Sequence, residues 1–228
     1  LFVYSTEALK ARIGELRAAM PKQLGIHYAM KANPYSPLLS LMNELVDGFD
    51  VASGGELELA LNAGVDAARI SFAGPGKRDR ELQRAISLGV TLNCESEGEA
   101  ARALAIGAQL GITPRIAIRV NPSFDLKGSG MKMGGGPKQF GVDVEQMPAL
   151  LANIGRAGLA FEGFHLFAGS QNLRPESICE AQQKSYELAV RLAQDAPQPV
   201  RFLNLGGGFG IPYFPGEQRL DLTSIGDN

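Results

Sequence analysis

Gly25-Ile26-His27-Tyr28-Ala29-Met30-Lys31-Ala32-Asn33-Pro34 is a short apolar run that ends on a lysine and is closed by Asn-Pro. A run of this length, bounded by turn residues and too short for a helix, reads as a buried β-strand over residues 25–30. Runs of the same kind recur at residues 48–52, 69–73, 90–94, 115–120, 159–164 and 200–205. Each is short and apolar, as strands covered on both faces should be. Helical signals separate most of them. Leu9, Ile13, Leu16 and Met20 share one face behind the possible caps Ser5 and Thr6. Ser36-Pro37 offers an N-cap and a first-turn proline, Ser96 with Glu99 spells a capping box, and Pro175 opens a long amphipathic segment. Gly64, Gly89 and Gly111 read as terminators.

Strand and helix therefore alternate about seven times, which means parallel strands with helical crossovers. Two α/β architectures satisfy that pattern, a doubly wound open sheet and a (β/α)8 TIM-like barrel. Seven strands in 228 residues favour the barrel in incomplete form, since a whole one takes about 250 residues and the chain stops at Asn228 before an eighth strand. The expectation is a single truncated barrel domain over residues 1–228, and the start at Leu1 rather than Met suggests a fragment. The glycine-rich residues 128–141 read as a long loop between the fifth strand and its helix, of a length that is usually functional or mobile.

Composition narrows the partner. With 22 basic against 24 acidic residues the net charge is -2, which argues against nucleic acid or an anionic membrane surface and for a small molecule. No apolar run approaches the roughly 20 residues of a membrane span, and residues 1–5 lack a signal-peptide pattern. Cys94 and Cys179 are too few and too far apart for a disulfide framework, and read as buried thiols of a cytoplasmic protein. With His27 and His165 as the only histidines, no metal cluster is expected.

Active sites of such barrels lie on the loops that follow the strands, and the unusual residues of this chain fall there. Lys31 ends the first strand; a lysine desolvated at such a place is an amine nucleophile of the kind that forms Schiff bases, the alternative being a side chain that emerges into solvent. Asp50, Ser53 and Glu56 follow the second strand, Gly74-Pro75-Gly76-Lys77 the third, Glu95-Ser96 the fourth and Arg119 to Asn121 the fifth. His165 to Gln171 follow the sixth, and Gly206-Gly207-Gly208-Phe209-Gly210 the seventh. A glycine run after the seventh strand lets backbone N–H groups approach a phosphate, though a plain tight turn has the same composition. A dinucleotide fingerprint is disfavoured because it would follow the first strand.

Tyr28-Ala29-Met30-Lys31-Ala32-Asn33, Phe49-Asp50-Val51-Ala52-Ser53-Gly54-Gly55-Glu56, Gly169-Ser170-Gln171 and Gly206-Gly207-Gly208 together resemble the fold-type-III pyridoxal-phosphate decarboxylases, the ornithine, diaminopimelate and arginine decarboxylase group. The resemblance implies α-decarboxylation of an amino acid on pyridoxal 5'-phosphate, with Lys31 as the Schiff-base lysine and His165 as a further catalytic group. It implies that Asp50, Arg119, His165, Phe167, Ser170, Gly206, Gly207 and Gly208 line the cofactor, with Glu56 at a polar pocket position. Asp50, Glu56 and Arg119 have strand-end ion pairs as their alternative, and His165 a buried structural role. Family members commonly carry a second histidine where Phe167 stands, and Phe can stack but cannot titrate. With residues 132–141, this is more similar to a specialised biosynthetic branch that includes a carrier-protein-linked substrate. The resemblance further implies a homodimer whose C-terminal β-rich domain completes the site, so that residues 1–228 alone should bind cofactor weakly and not turn over. A racemase of the alanine-racemase type and a non-catalytic cofactor-binding homologue are the alternatives.

Overall fold

The computed structural model describes residues 2–124, the backbone of 131–132, and residues 138–228. Seven strands form one sheet: β1 (His27–Ala29), β2 (Gly48–Val51), β3 (Ile70–Phe72), β4 (Thr91–Cys94), β5 (Arg115–Asn121), β6 (Ala160–Leu166) and β7 (Phe202–Asn204). They are hydrogen-bonded in sequence order and every neighbouring pair is parallel. Successive parallel neighbours linked by helices curl into the incomplete barrel that the alternation implies. A two-residue strand, Val142–Asp143, adds to the end of β5, and Met131–Lys132 pairs antiparallel with Gly169–Ser170. Of the glycine-rich loop expected over residues 128–141, residues 128–130 and 133–137 lie outside the described residues.

The helices are α1 (Thr6–Ala19), α2 (Ser36–Leu45), α3 (Gly54–Asn62), α4 (Asp79–Leu88), α5 (Glu97–Leu110), α6 (Met147–Ala157), α7 (Pro175–Ala193) and the short α8 (Leu222–Gly226). Their ends follow local chemistry. Ser5, Ser53 and Ser96 each accept from a backbone N–H in the first turn, and Gly89 and Gly111 end α4 and α5 in the left-handed conformation. Two expectations are corrected. Ser36 is the first residue of α2 rather than its cap, which is Tyr35 with no side-chain bond. The Ser96–Glu99 box is half formed, because Glu99 Oε2 accepts from the N–H of Glu95, one residue beyond the cap.

Between sheet and helices lies one large core containing Phe49, Phe72, Leu92, Ile116, Ile118 and Phe164, all essentially inaccessible. Cys94 is buried within it, and its thiol is pushed up to about 12, chiefly by that burial. Cys179 on α7 is only partly covered, contrary to expectation, and both thiols are free. Among the described residues no helix is long and apolar enough to cross a membrane, and no group of three or more His, Cys, Asp or Glu could hold a metal ion.

Candidate active site

Parallel strands that all start at one end deliver their following loops to the other, so the chemistry-bearing residues collect at one mouth. The register shows how. Ala29 pairs with Asp50, Arg119 with His165, and His165 with Asn204, which sets these positions at matching heights around the sheet.

The two edge strands, β1 and β7, are drawn together by side chains. Asn204 Nδ2 donates to Asp50 Oδ2 at 3.3 Å, and His27 Nδ1 donates to Asp50 Oδ1 at 3.0 Å. The His27 and Phe202 rings lie 6.2 Å apart, tilted. Burial alone would raise the Asp50 pKa, but the hydrogen bond and charge of His27, with help from His165 and Asn204, hold it below the usual carboxylate range. Asp50 therefore faces the barrel interior as an anion.

His165 is buried on β6, and its Nδ1 has no hydrogen-bond partner. Burial first, then the positive charges of Arg119, Lys31 and Lys77, lower its pKa to about 4 against the opposing pull of Asp50. It is neutral at physiological pH. Arg119 is buried too, donating to Glu95 Oε1 at 3.1 Å and lying 4.7 Å from the Phe140 ring centroid. Glu95 is a hub: it also accepts from the N–H of Gly74 and, at 3.1 Å, from that of Gly141, tying the loops after β3 and β5 together. The ion-pair alternative thus holds for Arg119, while Glu56 turns back to accept from the N–H of Ala52 at 2.6 Å.

Lys31 departs from expectation in one respect. It does not end the strand but sits in a one-turn 3-10 helix, Met30–Ala32, and is exposed, so it is not desolvated by this chain. Its amine makes no hydrogen bond or ion pair with the described residues, and its charge contributes to lowering the His165 pKa.

The glycine run turns sharply after β7, with Gly206 and Gly208 at positive φ. Gly206 must lack a Cβ, which would fall 2.5 Å from Phe167 Cδ2; the aromatic ring lies against this turn. The N–H of Gly206 is already used, donating to Asn204 Oδ1 at 2.8 Å, which corrects the expectation that all three glycines serve an anion. The N–H groups of Gly207 and Gly208 and the Ser170 hydroxyl have no partner among the described residues. Asn172 pins the neighbouring loop, donating its N–H to Gly208 O and accepting from Gly210 N at 2.8 Å.

The set suits a flat aromatic aldehyde with an anionic tail. Among the described residues the Lys31 amine, the Gly207 and Gly208 N–H groups and the buried His165 Nδ1 have no partner, so each has capacity to bond such a molecule. Sequence reasoning missed His27 and Asn204 as members. The first lies on the same strand face as Ala29, and the second is the one polar residue in the run 202–205, which was the available signal.

Comparison with known proteins agrees. Residues 6–228 match the family model described as "Pyridoxal-dependent decarboxylase, pyridoxal binding domain". The L-glutamyl-[BtrI acyl-carrier protein] decarboxylase of Niallia circulans is 34% identical over 226 residues, 98% of this chain and 53% of that protein. The diaminopimelate decarboxylase of Aquifex aeolicus is 38% identical over 234 residues, 100% of this chain and 54% of that protein. The crystal structure of diaminopimelate decarboxylase from Helicobacter pylori complexed with L-lysine superposes with a TM-score of 0.89 at 32% identity, covering 98% of this chain and 57% of that one. The chain thus spans about half the length of the curated relatives it matches. From residue 6 onward, the chain belongs to the pyridoxal-dependent decarboxylases, whose pyridoxal 5'-phosphate binding domain it forms.

Proposed function

We propose that residues 1–228 form the cofactor-binding barrel of an enzyme that removes the α-carboxylate of an amino acid, releasing carbon dioxide and leaving the amine. The observation that supports this reading is the pair of side-chain bonds that Asp50 of β2 makes with His27 of β1 and Asn204 of β7, which links the strands that the Lys31 turn and the glycine turn follow. When bound, pyridoxal phosphate supplies an electron sink for the pair left on Cα.

The protein residues do the rest. Lys31 offers the amine that holds the cofactor covalently. Gly207 and Gly208 N–H groups and the Ser170 hydroxyl bind the anionic tail, and Gly206 shapes that turn without donating to it. Phe167 and His165 bound the aromatic ring, His165 as a neutral imidazole. Asp50, held ionised, and Arg119, oriented by Glu95, fix the charge around the mouth. The named relatives are decarboxylases, which favours this chemistry over racemisation.

The substrate is an amino acid, free or carried on a protein as in the Niallia circulans relative. We further propose a cytoplasmic homodimer in which additional chain supplies an eighth strand and a β-rich domain, with residues 1–228 alone binding cofactor weakly. Borohydride reduction of the full-length protein with pyridoxal phosphate, followed by peptide mapping, tests the site: the label should fall on Lys31. Carbon dioxide release from amino-acid substrates, without inversion, tests the reaction; a label without any turnover would support a non-catalytic homologue instead.

A further inference from the structure

We infer that His27 is a positioning residue for the anion-binding turn, acting from the opposite edge of the sheet through a relay of side chains. His27 Nδ1 donates to Asp50 Oδ1 at 3.0 Å, Asn204 Nδ2 donates to Asp50 Oδ2 at 3.3 Å, and Gly206 N donates to Asn204 Oδ1 at 2.8 Å. The relay crosses from β1 to β2 to β7 and ends on the first residue of the glycine turn. Each member is oriented by the one before it. A carboxylate with both oxygens engaged cannot rotate freely. An Asn amide whose NH2 faces that carboxylate must present its oxygen to Gly206. Gly206 N–H being so consumed, the turn keeps Gly207 and Gly208 as its free donors.

The imidazole is placed independently of its hydrogen bond. A Cβ at Gly48 would come 2.5 Å from His27 Nε2, so the ring fills the space that glycine leaves on β2, and Phe202 of β7 flanks it. Neighbouring strands thus shape a berth for this ring, and no charge on the imidazole is needed, because Nδ1–H donates in the neutral form as well.

The inference rests on the proposed role of the glycine turn in binding the cofactor's phosphate. Binding of pyridoxal 5'-phosphate and of pyridoxal, which lacks the phosphate, is measured spectroscopically on the full-length protein and on His27→Leu, His27→Asn and Asn204→Ala, with melting temperature recorded beside it. His27→Leu should weaken pyridoxal phosphate binding roughly tenfold, the scale of one lost hydrogen bond to a charged group, while pyridoxal binding changes less than twofold. His27→Asn, whose Nδ2 can replace Nδ1, should restore most of the loss. Asn204→Ala cuts the relay at its other end and should reproduce the phosphate-selective loss, which decides the matter if His27→Leu does not fold. Equal weakening for both ligands, or none in either variant, overturns the relay. Failure of the unmutated protein to bind pyridoxal phosphate overturns the functional reading itself.

Discussion

On one side of the barrel every residue of β3, β4 and β5 except Arg115 is buried, whereas in the two edge strands, β1 and β7, no residue is fully buried. The same βα unit builds both. The closed side is stitched by saturated charge: Lys77, only 1% exposed in its side chain, donates to Gly74 O, Asn93 O and Glu99 Oε1 at 2.6–2.9 Å. The side of the edge strands is held by a part-buried His–Asp–Asn relay and carries the Lys31 amine, which has no partner among the described residues. One side uses buried polar groups to fix loops; the other exposes this amine. That division is what a binding site on a rigid scaffold needs, since a group that is already satisfied has little to offer a ligand.

The contrast can be broken at several points. The largest effect belongs to the side of the edge strands: Lys31→Ala in the full-length protein should abolish the borohydride-trapped adduct and lower turnover by on the order of a thousandfold or more, with melting temperature nearly unchanged. On the closed side the cost falls on stability instead. Lys77→Met leaves Glu99 buried without its cation and should destabilise by about 3–5 kcal/mol in denaturant unfolding. Gly206→Ala drives a methyl into Phe167 at a φ of 71°, and should cost about 2–3 kcal/mol. Combining it with Phe167→Ala should recover the steric part.

His165 gives the contrast a pH dependence. Its folded pKa, about 4, lies below the ordinary 6.5, so the unfolded chain binds more protons between those values. Stability is therefore complete above pH 6.5 and is lost as pH falls toward 4, by on the order of 1–3 kcal/mol. His165→Gln should flatten that slope in acid unfolding curves. The smallest effect is Ser53→Ala, which removes the α3 cap and should cost about 1 kcal/mol.

The strands were legible because parallel strands covered on both faces leave short apolar runs between turn residues, and each of the seven runs overlaps a strand of the sheet. Their ends were not. The run 25–30 pairs only over His27–Ala29, since pairing needs a neighbour at matching height, and a single sequence does not show where the neighbour stops. Glu99 shows the same limit at a helix cap. Spacing matched it to Ser96, but its stronger partner, Lys77, lies 22 residues away. Lys31 was found by its place in a run, yet its exposure depends on what covers the mouth. Asn204 and Asp50 are 154 residues apart and meet only because the sheet curls, so no local pattern announces the relay.

The berth of His27 has a consequence for relatives of this chain. Positions 27 and 48 share a fixed volume across two adjacent strands, so they should trade bulk between them. Sequences in which residue 48 gains a methyl or more should carry a slimmer residue at 27, and a swap that enlarges 48 alone should dislodge the ring. Reading those two columns side by side in an alignment separates chains that keep this arrangement from chains that close the same fold another way.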